Sequence, residues 1–133
     1  MTQTIQLRLP PSRLAPATAR GALGPLWEAV DEETAEATAL LVSELVTNAV
    51  RHAGLRGDQW IDLAVEASPD RVRVSVADPG HGFARPPPAP RVDHPAGWGL
   101  FLVGQLADRW GVDNEWDTLV WFEIDRRPVG RPR

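Results

Sequence analysis

The stretch Glu44-Leu45-Val46-Thr47-Asn48-Ala49-Val50-Arg51-His52-Ala53 decides the fold. With Leu41 and Val42 in front of it, Leu45, Val46, Ala49 and Ala53 fall on one stripe at helical spacing, which predicts a long amphipathic helix over residues 33–53. The acidic run Asp31-Glu32-Glu33 stands where a helix dipole favours negative charge, and Gly54 and Gly57 stand where a helix ends. Beside the stripe, Glu44, Asn48 and His52 recur at i, i+4 and i+8 and so share one side of the helix.

Before this helix, Ile5, Leu7 and Leu9 alternate with Gln6 and Arg8, a strand pattern closed by Pro10-Pro11. Residues 12–30 read as a helix that Gly21, Gly24 and Pro25 weaken, with a break expected near Pro25. After it, Ile61, Leu63 and Val65 alternate, as do Val72, Val74 and Val76, around the turn Ser68-Pro69-Asp70, which predicts a β-hairpin. Residues 78–99 read as a loop stiffened by Pro86-Pro87-Pro88 and Pro90. A helix over 99–110 and a strand pair over 110–113 and 118–125 complete the chain. Parallel crossover units do not dominate this order. It predicts an α+β, two-layer α/β sandwich, a mixed but mostly antiparallel sheet with helices on one face.

Composition sets the bounds. At 133 residues and 14.6 kDa, with 43% hydrophobic and 24% charged residues, the chain has the material for one core. The expected domain is 1–125, followed by a basic tail, 126–133, expected to fray. A net charge of −4 argues against a general nucleic-acid binder. The absence of cysteine excludes disulfides, zinc–thiolate sites and cysteine nucleophiles. All 14 basic residues are arginine, so a P-loop with its lysine is excluded. No signal-like N-terminus or membrane-length apolar run is seen, so the expectation is a cytoplasmic protein that does not engage a membrane.

Three constellations carry chemistry, and each has a plain alternative. An Asn48 amide oxygen is a hard ligand suited to Mg²⁺, and Glu44 one turn earlier can accept a proton or orient a hydroxyl; the alternative is a solvated helix edge. Asp78-Pro79-Gly80-His81-Gly82-Phe83 follows a strand, and its glycines let backbone approach a ligand. The Asp78 carboxylate can accept from an exocyclic amine, as on adenine; the alternative is a turn. Gly97-Trp98-Gly99-Leu100 opens a helix whose free N–H groups suit phosphate, or is simply a turn. Trp27, Trp60, Trp110 and Trp121 are expected to pack in the interior.

Taken in order, helix Glu-x-x-x-Asn, strand-end Asp-x-Gly-x-Gly, a loop, and Gly-x-Gly-Leu at a helix start resemble the GHKL ATPase superfamily and its Bergerat ATP-binding fold. The segments 44–53, 99–103, 106–111 and 120–123 look like the anti-sigma-factor serine/threonine kinases within it, and the resemblance runs from about Leu7 to Ile124. It implies ATP with Mg²⁺ as cofactors. Asn48 then matches the magnesium-binding asparagine, Glu44 the catalytic base and Asp78 the adenine reader. Gly80, Gly82 and Phe83 match the second nucleotide box, and Gly97, Trp98, Gly99 and Leu100 the third. Arg51 and His52 adjoin the asparagine turn as further nucleotide contacts, and residues 83–96 correspond to a lid carrying Arg85 and Arg91. The implied activity is phosphorylation of an anti-sigma-factor antagonist by a protein that also holds a sigma factor and self-associates as a homodimer. Trp98 between the two glycines, Trp116-Asp117 before the last strand and the short proline-rich lid depart from the family pattern. They favour the alternative of a non-catalytic, nucleotide-dependent binding module that sequesters a partner.

Overall fold

The computed structural model describes residues 2–52, 59–79, 98–113 and 118–126. The chain begins with β1 (Gln3–Leu9), then two short helices, α1 (Ala15–Gly21) and α2 (Gly24–Ala29), and the long α3 (Glu32–His52). The hairpin β2 (Ile61–Ala67) and β3 (Arg71–Asp78) follows, then α4 (Trp98–Leu106), β4 (Arg109–Asp113) and β5 (Thr118–Asp125). The five strands form one sheet in the order β1-β2-β3-β5-β4. Every neighbouring pair is antiparallel, so the sheet expected to be mostly antiparallel is antiparallel throughout.

Strand alternation separates the two faces. Ile61, Leu63 and Val65, then Val72, Val74 and Val76, then Val120, Phe122 and Ile124 are buried toward the helices. Onto them α3 lays Leu41, Val42, Leu45, Val46 and Ala49, packing across β3 and β5, while α1 and α4 pack against α3. That is the expected two-layer arrangement with the helices on one side. The Asp31 carboxylate starts α3 by accepting the Thr34 backbone N–H at 3.0 Å, which satisfies a donor that the helix itself leaves free.

The other face of the sheet carries a charged band. Glu123 accepts from Arg109 Nε at 2.8 Å and from Arg73 Nη1 at 2.9 Å, with Arg71 at 3.6 Å. Arg109 also pairs with Asp125. The Arg73 guanidinium lies 4.6 Å from the centroid of the Trp121 ring. Trp121 reaches this position because it crosses Gly111 on β4, where a Cβ would stand 2.8 Å from the indole nitrogen.

The break expected near Pro25 in residues 12–30 falls at Ala22-Leu23, just ahead of Pro25 in the first turn of α2. Other expectations change. The last helix stops at Leu106 instead of running to Trp110, because Arg109 is drawn into β4 by pairing with Glu123. Trp27 is 43% exposed and Trp60 45%, so neither is a core residue; Trp110 and Trp121 are half-buried. Arg126, read as the first residue of a frayed tail, donates to the carbonyls of Ser68 and Ala29 and ties α2 to the β2–β3 turn. Residues 127–133 lie outside the described residues. Among the described residues no helix is long and apolar enough to cross a membrane.

Candidate functional site

Helix α3 supplies the first part of the site. Leu41, Leu45 and Asn48 follow at i, i+4 and i+7, so Asn48 continues the apolar stripe with an amide. It is only 7% exposed. Among the described residues no hydrogen bond to its side chain is seen, and since the one buried side-chain polar atom without a partner is Arg126 Nε, the Asn48 amide keeps access to solvent. A hard oxygen held in place without a protein partner fits a magnesium ion, which takes few protein ligands and keeps phosphate oxygens and waters for the rest. Glu44 lies one turn earlier and is half-buried, and Arg51 is exposed. His52 closes the helix.

The sheet supplies the second part. Asp78 ends β3 on the same parity as Val72, Val74 and Val76, so its carboxylate turns toward the helix layer, where it is 6% exposed. Its register partner across the sheet is Thr118, the first residue of β5, 2% exposed on the same face. Sequence reasoning missed Thr118. The signal available was parity: it occupies an inward position of the series Thr118, Val120, Phe122, Ile124, where an apolar residue is expected. Asp78 and Thr118 place a carboxylate and a hydroxyl side by side at the strand ends over which α3 packs. A cavity of about 280 Å³ opens beside Asp78 but not Thr118, lined by Gln59, Trp60, Asp62, Ala77, Asp78, Pro79 and Arg8, of which Asp62 and Ala77 belong to the outer face of the sheet. Asp78 lines this cavity; Glu44 and Asn48 do not.

The third part begins with Trp98, Gly99 and Leu100, which form the first turn of α4, as the glycine-flanked motif predicts. Gly80, Gly82, Phe83 and Gly97, and with them Arg85 and Arg91 of the expected lid, lie outside the described residues. Trp116-Asp117 also lie outside them.

The carboxylates with shifted acidity sit elsewhere. Hydrogen bonds from Arg109 and then Arg73 hold the Glu123 carboxyl below its ordinary range, and Arg109 does the same for Asp125. The Arg109 guanidinium is raised in turn by Asp125 and Glu123. At the start of α3, burial pushes Asp31 up, but the hydrogen bonds from Thr34 outweigh it and hold the carboxyl low. These groups stiffen the outer sheet face and a helix start; the candidate site residues Glu44, Asn48 and Asp78 are a separate set.

Comparison with known proteins bears on the fold. One similar structure is that of the RsbU and RsbW domains of a Mycobacterium tuberculosis protein: 20% identity, TM-score 0.67, covering 98% of this chain and 35% of that one. Another is the histidine kinase domain of the blue-light-activated histidine kinase of Erythrobacter litoralis EL346: 24% identity, TM-score 0.54, covering 86% and 60%. The chain thus spans about a third and three-fifths of the lengths of these two neighbours, and at such identities the likeness shows a shared fold. No curated protein sequence matches. The sequence profile described as Histidine kinase-like ATPase domain matches residues 14–123, most of the chain, and with α3, β3 and α4 carrying the expected motifs in order, this chain belongs to the histidine kinase-like ATPase domain family.

Proposed function

We propose that this chain is a cytoplasmic, Mg-ATP-binding regulatory kinase. In this reading it phosphorylates a serine or threonine of an anti-sigma-factor antagonist and, in another state, sequesters a sigma factor. The observation that carries the reading is the largely buried Asn48, its amide still open to solvent, with Glu44 one helical turn away, on the helix that packs over the strand ending in Asp78. The likeness to a structure containing an RsbW domain supports the choice of partner class.

In this reading the Asp78 carboxylate accepts from the adenine amino group, with Thr118 beside it. Asn48 holds the magnesium ion, which would neutralise charge on the phosphate oxygens. The chain has no lysine for that task, so backbone N–H groups at the start of α4 and arginine supply the remaining positive potential. Glu44 accepts the proton of the incoming hydroxyl. The hydroxyl oxygen bonds to the γ-phosphorus, the bond to the bridging oxygen breaks, and ADP leaves.

The test uses purified protein, Mg-ATP labelled at the γ-phosphate, and candidate antagonist proteins. Labelled antagonist is expected with the wild type. Glu44→Ala is expected to bind nucleotide with unchanged affinity and to lose transfer by a factor of about 10² or more. A Glu44→Ala variant indistinguishable from wild type in every readout would instead support the binding-module reading. The departures at Trp98 and in the proline-rich lid favour that second reading.

A further inference from the structure

Most of α3 faces the core or its neighbouring helices, but one row of it faces water. Glu33, Ala37, Leu40 and Glu44 recur at i, i+4, i+7 and i+11, so they fall in a line along the helix axis. Glu36 stands beside that line, three residues from Glu33. Glu33 and Glu36 are exposed, and Ala37 and Glu44 are half-buried. Leu40 is 42% exposed, although its sequence neighbours Leu41 and Val42 are buried. Among the described residues no ion pair or hydrogen bond reaches the side chain of Glu33 or Glu36. Two like charges one turn apart on a helix repel each other, and a cation between them relieves both. A lone exposed leucine is ordinary on a protein surface; this one stands one turn from Glu44, with unneutralised acid on the next turn.

The spacing of the row matches an extended chain. At about 1.5 Å per helical residue, Leu40 stands about 6 Å from Glu44 along the axis, Glu36 about 12 Å and Glu33 about 16.5 Å. An extended chain advances about 6.6 Å for every two residues and returns to the same face each time. A segment lying along the row with its hydroxyl at Glu44 therefore sets its second residue over Leu40. Its fourth residue, about 13 Å along, falls between Glu36 and Glu33. An apolar side chain suits Leu40. Lysine or arginine suits the two carboxylates, because the charged head reaches them while the apolar stem lies along the helix.

We infer that this row of α3 is the substrate track of the site. It takes an extended segment of a partner protein in which one residue separates the accepting serine or threonine from an apolar side chain, and three separate it from a basic one. The inference rests on the reading that Glu44 receives the acceptor proton, and adds to it the chemistry of the sequence around the acceptor. Leu40, Glu36 and Glu33 select the segment; transfer is left to Glu44 and the nucleotide site.

The probes are fluorescein-labelled peptides, alanine outside the named positions. One reads serine, alanine, leucine, alanine, arginine; the other has these five in reverse order, since the row fixes spacing and not direction. Fluorescence anisotropy without ATP, at physiological salt, reads docking. Transfer of label from Mg-ATP to the serine reads chemistry separately. Wild type is expected to bind one of the two orders. Leu40→Ala is expected to weaken that binding about fivefold, and Glu36→Arg about tenfold. The double variant Glu33→Arg/Glu36→Arg is expected to prefer a peptide with glutamate in place of the arginine. Glu66→Arg makes the same charge change on the outer sheet face and is expected to leave binding unchanged. Far-UV circular dichroism confirms that each variant is folded. Docking that follows Leu40 and Glu36 supports the track, and absence of transfer by the wild type counts against the kinase reading alone. Failure of both peptides to bind, a Leu40→Ala variant that binds as the wild type does, or equal losses in Glu36→Arg and Glu66→Arg would each overturn the track.

Discussion

At the scale of single residues, the charged groups divide into those that bind and those that brace. In the proposed reading Asp78 belongs to the first kind. As an acceptor-only group it matches the donor on adenine, and Asp78→Asn puts an N–H₂ group where an oxygen is needed while keeping the shape. Loss of one charged hydrogen bond, about 1.5–3 kcal/mol, is expected to weaken ATP binding by roughly 10- to 150-fold. Titration calorimetry measures this, with the circular dichroism spectrum unchanged. Glu123 belongs to the second kind. Its carboxyl is held below its ordinary value of 4.5 by Arg109 and Arg73. A carboxyl lowered by folding contributes its full stabilisation above the unfolded value and loses it as pH falls through the folded one. The wild type is therefore expected to lose stability below about pH 4.5, and Glu123→Gln to show a flatter acid limb. At neutral pH the same substitution is expected to cost about 1–2 kcal/mol, a value kept modest because Arg73 and Arg109 are nearly half-exposed to screening water. Urea denaturation at neutral and acid pH separates the two effects.

At the scale of elements, what the sequence made legible follows from how local each cause is. Helix α3 was readable because its stripe, its acidic start and its end lie within one stretch. The hairpin β2–β3 was readable because alternation and turn chemistry are both local. The boundary between α4 and β4 was not, because Leu102, Val103, Leu106 and Trp110 continue a helical spacing; what stops the helix is Glu123, 14 residues along the chain from Arg109. The same holds for Trp27 and Trp60, whose exposure depends on which neighbours arrive. Within the site, Asn48 and Asp78 stood out because an amide or carboxylate breaks an apolar pattern. Thr118 did not, since threonine is an ordinary strand residue. A local cause also gives a local effect. Asp31→Ala removes the acceptor for the Thr34 N–H at the start of α3 and is expected to destabilise the protein by about 1 kcal/mol. Asn48 lies 17 residues further along the helix (48 − 31). ATP affinity is therefore expected to stay unchanged, and melting curves with and without nucleotide show both results together.

At the scale of the whole molecule, ligand binding and folding are one equilibrium, because the site is made where the helix layer meets the sheet. An unfolded chain has no such meeting point, so ATP stabilises only the folded form. At a hundredfold excess over the dissociation constant this amounts to about 2.7 kcal/mol, or a melting shift of roughly 10 °C for a chain of this size. With no lysine to meet the triphosphate, most of that shift is expected to require Mg²⁺ and to disappear with a chelator. Asn48→Ala then distinguishes a ligand-holding amide from a structural one. An amide bonded within the protein would leave its partner stranded when truncated, and the free protein would lose about 1–3 kcal/mol. The Asn48 amide has no such bond among the described residues, so its removal takes a polar group out of an apolar stripe. The free variant is expected to melt at or slightly above the wild-type temperature, while its shift with Mg-ATP falls close to zero. A variant that keeps the full shift would place the metal elsewhere, and one that melts early without ligand would make Asn48 a structural residue.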